Sequence, residues 1–267
     1  MTLDSEIERT VQTRAGDTSE LEVEVELRPT RGTANLDVKN GKGVTGRVAW
    51  NPLIGNEIGA SFYVGQYTPG DLNKELLVSG ALDGLLTLGP FELEGEFLYT
   101  SFGNVKRVAR NFAERVRTQS AAVENDELEV EVEFDLAGLA ATKHGYWLEA
   151  RYRLFPDWLK RSILGRRFQN PQLVPTLRWE QVRLDGRVRR VDFSDAKVSR
   201  IDTEDRFVNR VTLGLAYRPV PLVVFQAAYE YTWTNKGTSL AEVINFIPAQ
   251  VKERDVGSFL FGVAFGF

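Results

Sequence analysis

The 267 residues include no cysteine, which excludes a disulfide framework, thiolate metal ligation and a cysteine nucleophile. A net charge of -4 argues against nucleic-acid binding. Hydrophobic residues make up 43%, and no run approaches the roughly 20 consecutive apolar residues of a spanning helix, so a membrane protein of this composition has to cross with strands.

The opening MTLDSEIERT lacks the apolar stretch of a secretory signal, so the sequence reads as starting after processing or as the downstream part of a longer chain. The first candidate strand is 21–27, where Leu21, Val23, Val25 and Leu27 alternate with Glu22, Glu24 and Glu26. Residues 44–50 and 57–66 form a pair joined by Asn51-Pro52-Leu53-Ile54-Gly55, and 76–88 and 91–101 form another joined by Gly89-Pro90. In the last of these, Phe91, Leu93, Phe97 and Tyr99 stand against Glu92, Glu94 and Glu96.

Residues 103–144 read as one long outer loop. Within it Val105, Val108, Ala109, Phe112 and Val116 recur at helical spacing, with Lys106, Arg107, Arg110, Arg115 and Arg117 around them. Such a helix either folds inward as a cationic constriction or stays a solvated loop helix. ELEVEVEF at 127–134 echoes ELEVEVEL at 20–27 and is assigned to the loop as strand extension, because a crossing there would reverse the side of every upstream turn.

Residues 145–155 set Tyr146, Leu148, Ala150, Tyr152 and Leu154 against Trp147, Glu149, Arg151 and Arg153. The connection 156–171 contains WLKRSILGRR, which reads either as a short basic amphipathic helix anchored at an interface by Trp158 or as a plain surface turn. Residues 173–184 follow as a strand, 185–206 read as an outer loop, and the strands 207–217 and 222–234 are joined at Arg218-Pro219-Val220-Pro221. The end, 257–267, alternates Phe259, Phe261, Val263, Phe265 and Phe267 with small residues and carries no charge. About nine to eleven tilted strand residues cross a bilayer core.

About ten crossings result, with the turns at Asn51, Gly89 and Pro219 on one side and 67–75, 103–144, 185–206 and 235–256 on the other. Short turns sorted from long loops belong to transmembrane barrels. The expected fold class is therefore an all-β antiparallel transmembrane β-barrel, a single domain over 1–267. Pairing of 21–27 with 257–267 would close it as a complete small ring; an open edge there would mean a fragment.

With the aromatic and aliphatic faces toward lipid, the pore-lining set is Arg47, Arg151, Arg153, Arg178, Arg210, Arg218, Glu92, Glu94, Glu96, Glu149, Glu180 and Glu230, with Glu57 and Asp83 in the same phase. Because Glu92 to Glu96 and Arg151 to Arg153 lie on consecutive crossings, an acidic wall is expected beside a basic one. Charge at that density needs water or full pairing, which leaves a water-filled pore or cross-strand ion pairs that plug a narrow barrel.

The stretches GRVAWNPLIGNEIGASFYVGQY, LTLGPFELEGEFLYT, GYWLEARYRLFPDWL and RVTLGLAYRPVPLVVFQAAYEY, with the terminal Phe267, resemble the porins of the phosphate-selective O and P family from about Gly43 onward. The resemblance implies a bacterial outer-membrane channel, a homotrimer of roughly sixteen-stranded barrels with further N-terminal strands, and phosphate preference carried by arginine and lysine ladders. The set above mixes acids with arginines and contains no lysine. The expected function is a porin, a passive diffusion channel for small hydrophilic, phosphate-like anionic solutes, with outer-membrane lipid as a partner and without enzyme activity, cofactor or metal. The alternatives are a plugged structural or adhesive barrel without conductance, an outer-membrane hydrolase, and a soluble binding sandwich. A hydrolase would need a carboxylate or hydroxyl facing His144, the single histidine.

Overall fold

The computed structural model describes residues 2–6, 24–28, 43–68, 74–121, 132–133, 139–194, 197–235 and 254–266; the terminal Phe267 lies outside them. In chain order the elements are β1 (Thr2–Glu6), β2 (Glu24–Arg28), β3 (Gly43–Trp50), β4 (Glu57–Gln66), β5 (Leu76–Leu88), β6 (Phe91–Phe102), α1 (Val105–Ala121), β7 (Val132–Glu133), β8 (Thr142–Tyr152), α2 (Asp157–Arg161), β9 (Gln172–Ser194), β10 (Lys197–Val220), β11 (Val223–Thr234) and β12 (Asp255–Phe265). A ten-stranded antiparallel sheet runs β12-β11-β10-β9-β8-β6-β5-β4-β3, with β7 attached to β9.

Turn chemistry explains the tight joints. Gly89 takes φ +60 in the two-residue link to Pro90, at a position where a side chain would be strained. Gly55 takes φ +81 at the end of the β3–β4 turn, where the Asn56 N–H donates to the Leu53 carbonyl at 3.1 Å.

Among the described residues the main sheet is open. Of the segment predicted at 21–27, residues 24–27 are described; with Arg28 they form β2, which pairs with Thr2–Glu6 in a separate two-stranded sheet. Among the described residues β3 and β12 each have a single strand neighbour. Nine strands in strict alternation leave β3 and β12 running in the same direction, so joining them directly would make a parallel pair.

The register is staggered throughout. A single row of cross-strand partners runs through Trp50, Ile58, Gly84, Gly95, Leu148, Trp179, Val211, Tyr231 and Gly257. It meets β3 at its last residue and β12 at Gly257, eight positions before Phe265. A shift of about one residue (about 3.3 Å) per strand spacing of about 4.8 Å corresponds to a tilt of about 35°, the tilt at which sheets curl into barrels.

Within 185–206, expected as a loop, residues 185–194 and 197–206 continue β9 and β10 as a long antiparallel pair. Its base is a bulge: the register shifts between Glu204 and Arg206 where Gly186 takes φ +62 and donates its N–H to Asp205 Oδ1 at 2.8 Å. Val132 and Glu133 pair with Val191 and Arg190, so β7, part of the 127–134 echo, adds a strand to this extension as the sequence suggested.

The conventional core is small and lies at the long-loop end. Val105, Val108, Ala109, Phe112 and Ala113 of α1 are buried together with Tyr67, Leu77, Phe102, Leu139, Val188 and Val191. The helix expected within 103–119 forms, and its apolar side packs on the sheet, so it is not simply solvated. Glu75, 5% exposed, fastens its start by accepting from Asn104 Nδ2 at 2.9 Å and pairing with Arg107. The Tyr67 hydroxyl donates to the Gly103 carbonyl at 2.6 Å, and burial pushes its pKa up.

Candidate functional site

Strand alternation divides the main sheet into two chemically opposite faces. One carries Val44, Val48, Phe62, Val78, Leu82, Phe97, Leu148, Leu177, Leu213, Tyr229, Phe259, Phe261 and Phe265, all exposed; Phe261 is 82% and Val48 74% accessible. Aromatic side chains cover neighbouring glycines on this face: a Cβ at Gly257 would lie 2.6 Å from the Tyr229 hydroxyl, and one at Gly46 2.6 Å from the Phe62 ring. Among the described residues no second layer covers this surface, which is where a soluble sandwich would bury it.

The register puts eleven residues of the expected pore-lining set in the opposite phase, and Arg153, just past the end of β8, joins them through its ion pair with Glu92. There eight of them form a ladder of alternating charge. Glu92 pairs with Arg153, Arg151 with Glu94 at 3.0 Å and with Glu149, Arg178 with Glu149 at 3.4 Å and Glu180 at 2.7 Å, and Arg210 with Glu180 at 3.8 Å. Arg210 Nε then donates to Thr232 Oγ1 at 3.1 Å, carrying the ladder onto β11. Glu230 accepts from Thr212 Oγ1 at 3.5 Å.

Two like charges are forced opposite each other in this register, Glu94 and Glu149. The flanking guanidiniums of Arg151 and Arg178 offset that repulsion, and Glu149, 8% exposed, sits between them. Trp147 lies under the Arg178 guanidinium, 4.5 Å from ring centroid to carbon, and its indole N–H donates to Glu96 Oε2 at 3.3 Å. A separate cluster joins Arg47 to Glu57 at 2.7 Å and to Asp83 at 2.6 Å. Arg218 stands exposed near the β10–β11 turn, apart from the ladder.

The expected acidic wall beside a basic wall is therefore not what forms. Side chains from β6, β8, β9 and β10 interleave, because the stagger brings the arginines of β8 and β9 between glutamates of β6, β8 and β9. The expected set with Glu57 and Asp83 comprises eight carboxylates and six guanidiniums, and Lys143 of β8 and Arg206 of β10 join the same face towards its long-loop end. Trp147 and Thr232 are parts of this arrangement that sequence reasoning left out; both share the inward phase, which was the available signal.

No family model and no curated protein matches the chain.

His144 is found on the other face, at its long-loop rim, stacked near Tyr99 at 6.3 Å and with Nδ1 3.7 Å from Asp185 Oδ2. The carboxylate is shared with Arg183 Nε at 2.6 Å and the Thr142 hydroxyl at 3.3 Å. A carboxylate thus does face the histidine, but the nearby hydroxyl donates to that carboxylate and not to the imidazole, which is not the order a nucleophile and its base require. Among the described residues no group of three acidic or histidine side chains could hold a metal.

Proposed function

We propose that this sheet is the wall of a bacterial outer-membrane β-barrel that passes small hydrophilic solutes by diffusion. The observation that carries the reading is the pairing of an exposed apolar face with a charged face in a single layer of strands. Water solvates the second surface and not the first, and a bilayer around a water-filled barrel satisfies both at once. From Gly257 to Phe265 the β12 strand rises about 22 Å at a 35° tilt, close to the ~25 Å apolar band of such barrels.

The stagger supports curling, and strand direction constrains closure: an antiparallel ring needs an odd number of further strands between β3 and β12. The resemblance to the phosphate-selective O and P porins fits this architecture. The solute preference is a different matter, since arginines interleaved and paired with carboxylates do not make a cationic ladder for phosphate. Small hydrophilic solutes without strong anion preference are the reading that this pairing favours.

One observation favours a second reading, a barrel without conductance: the arginines are held in cross-strand pairs, and α1 packs onto the sheet through the same face at its long-loop end. Planar-bilayer recording of the reconstituted protein separates the two. A channel gives discrete conductance steps, and Arg151→Glu with Arg153→Glu moves its reversal potential toward cations, an effect that shrinks as salt shortens the screening length to about 3 Å near 1 M. Folded, inserted protein without conductance would establish the plugged reading.

A further inference from the structure

The β8–β9 connection is the one long excursion at the short-turn end among the described residues. Its neck is closed by backbone bonds between Leu154 and Leu173 at 2.8 and 3.0 Å. Inside, α2 buries Leu159, and the Ser162 hydroxyl donates to the Leu159 carbonyl at 2.7 Å. The Tyr217 hydroxyl donates to the Leu164 carbonyl, and Tyr217 belongs to the apolar face, where it stacks on Phe225 at 6.1 Å. The excursion is thereby tied to the edge of the apolar face.

What it presents is an unusual mixture. Trp158, Ile163 and Leu164 are 61%, 79% and 59% exposed, although each is large and apolar. Lys160, Arg161, Arg166 and Arg167 are exposed among them, and Asp157 is the sole acid between 156 and 171. Lys160 lies 3.6 Å from Asp157, and Arg161 Nε donates to the Asp157 carbonyl at 3.4 Å. Among the described residues neither Arg166 nor Arg167 has an ion-pair partner.

We propose that this excursion is a docking surface for anionic phospholipid headgroups in the leaflet on the short-turn side, a reading that rests on the membrane location proposed above. Trp158, Ile163 and Leu164 enter the headgroup and acyl boundary, continuing the apolar face, and the four basic side chains meet the lipid phosphates. Apolar anchors with basic neighbours are the combination that binds interfaces of this charge, and each Lys or Arg close to an anionic surface is worth up to about a fivefold preference. A protein partner would have to match both the surplus of positive charge and the continuity with the apolar face.

The test uses the full chain reconstituted in phosphatidylcholine vesicles that contain a minor fraction of brominated lipid, either phosphatidylglycerol or phosphatidylcholine. Fluorescence quenching of Trp158 is taken as the difference from Trp158→Phe. Brominated phosphatidylglycerol is expected to quench at least about twice as strongly as the same fraction of brominated phosphatidylcholine. Lys160→Gln, Arg161→Gln, Arg166→Gln and Arg167→Gln together should remove that excess while the barrel still migrates as heat-modifiable protein. Equal quenching by the two lipids in protein that floats with the vesicles overturns the proposal and leaves the membrane reading intact. Failure to float with vesicles of any composition overturns both. A change of oligomeric state in neutral detergent on neutralising the four basic residues would assign the surface to a second copy and likewise overturn it.

Discussion

Leu213→Arg, compared with Thr212→Arg next to it, distinguishes a bilayer-facing surface from a merely exposed one. Leu213 is 57% exposed, with Leu177 and Tyr229 as its cross-strand partners, and it lies within the apolar run of β10 from Val211 to Tyr217. Thr212 is on the charged face, bonded to Glu230. In water an arginine at an exposed leucine changes stability by less than about 0.5 kcal/mol. Near the middle of a bilayer the same arginine costs about 2 to 4 kcal/mol, which lowers the folding equilibrium constant by a factor of about 30 to 1000. Thr212→Arg stays on the hydrated, charged face, with Glu230 opposite it on one side offsetting Arg178 on the other, and is expected to cost less than about 1 kcal/mol. The assay is reversible urea titration of folding into vesicles, followed by tryptophan fluorescence and by heat-modifiable migration. A Leu213→Arg cost below about 0.5 kcal/mol in vesicles, or equal costs at the two positions, would refute the assignment of the apolar face to lipid.

Glu149→Gln removes the carboxylate between Arg151 and Arg178, and a cost of about 1 to 3 kcal/mol is expected in the same titration. Glu94→Gln, which relieves the like-charge contact with Glu149, should be much milder. Glu75→Gln removes the charge that pairs with Arg107 and replaces one of the two acceptor oxygens that hold Asn104 and Arg107 by an amide donor, so amide exchange should accelerate through α1 well before it does in β10 and β11. Tyr67 lies beyond the end of β4, and its raised pKa has a definite sign. Its contribution to stability is fully present below the ordinary value of 10.0 and is lost as the pH climbs above that towards the higher folded value. Tyr67→Phe should therefore flatten part of the alkaline loss of stability; an unchanged alkaline limb would count against the buried hydroxyl as its source.

Period-two alternation determined a great deal locally. It located β3 to β6, β8, β9 to β12 and the two faces of each, because which face a side chain takes depends only on its parity along the strand. Turn residues such as Gly89-Pro90 marked the joints, and the 3.6-residue recurrence from Val105 to Phe112 marked α1, since these too are local properties. Parity does not select a neighbour. The interleaving of Arg151 and Arg178 with Glu94, Glu149 and Glu180 depends on register between strands, a non-local quantity that the expected acidic and basic walls ignored. Residues 185–206 read as loop because their charges hide a strand pattern, and only the packing of Val188 and Val191 against α1 supplies the buried side that makes a strand pair worthwhile there. The pairing of Glu24–Arg28 with Thr2–Glu6 was equally invisible, because an alternating segment of glutamate and aliphatic residues fits more than one edge and the choice among edges is made by the tertiary structure.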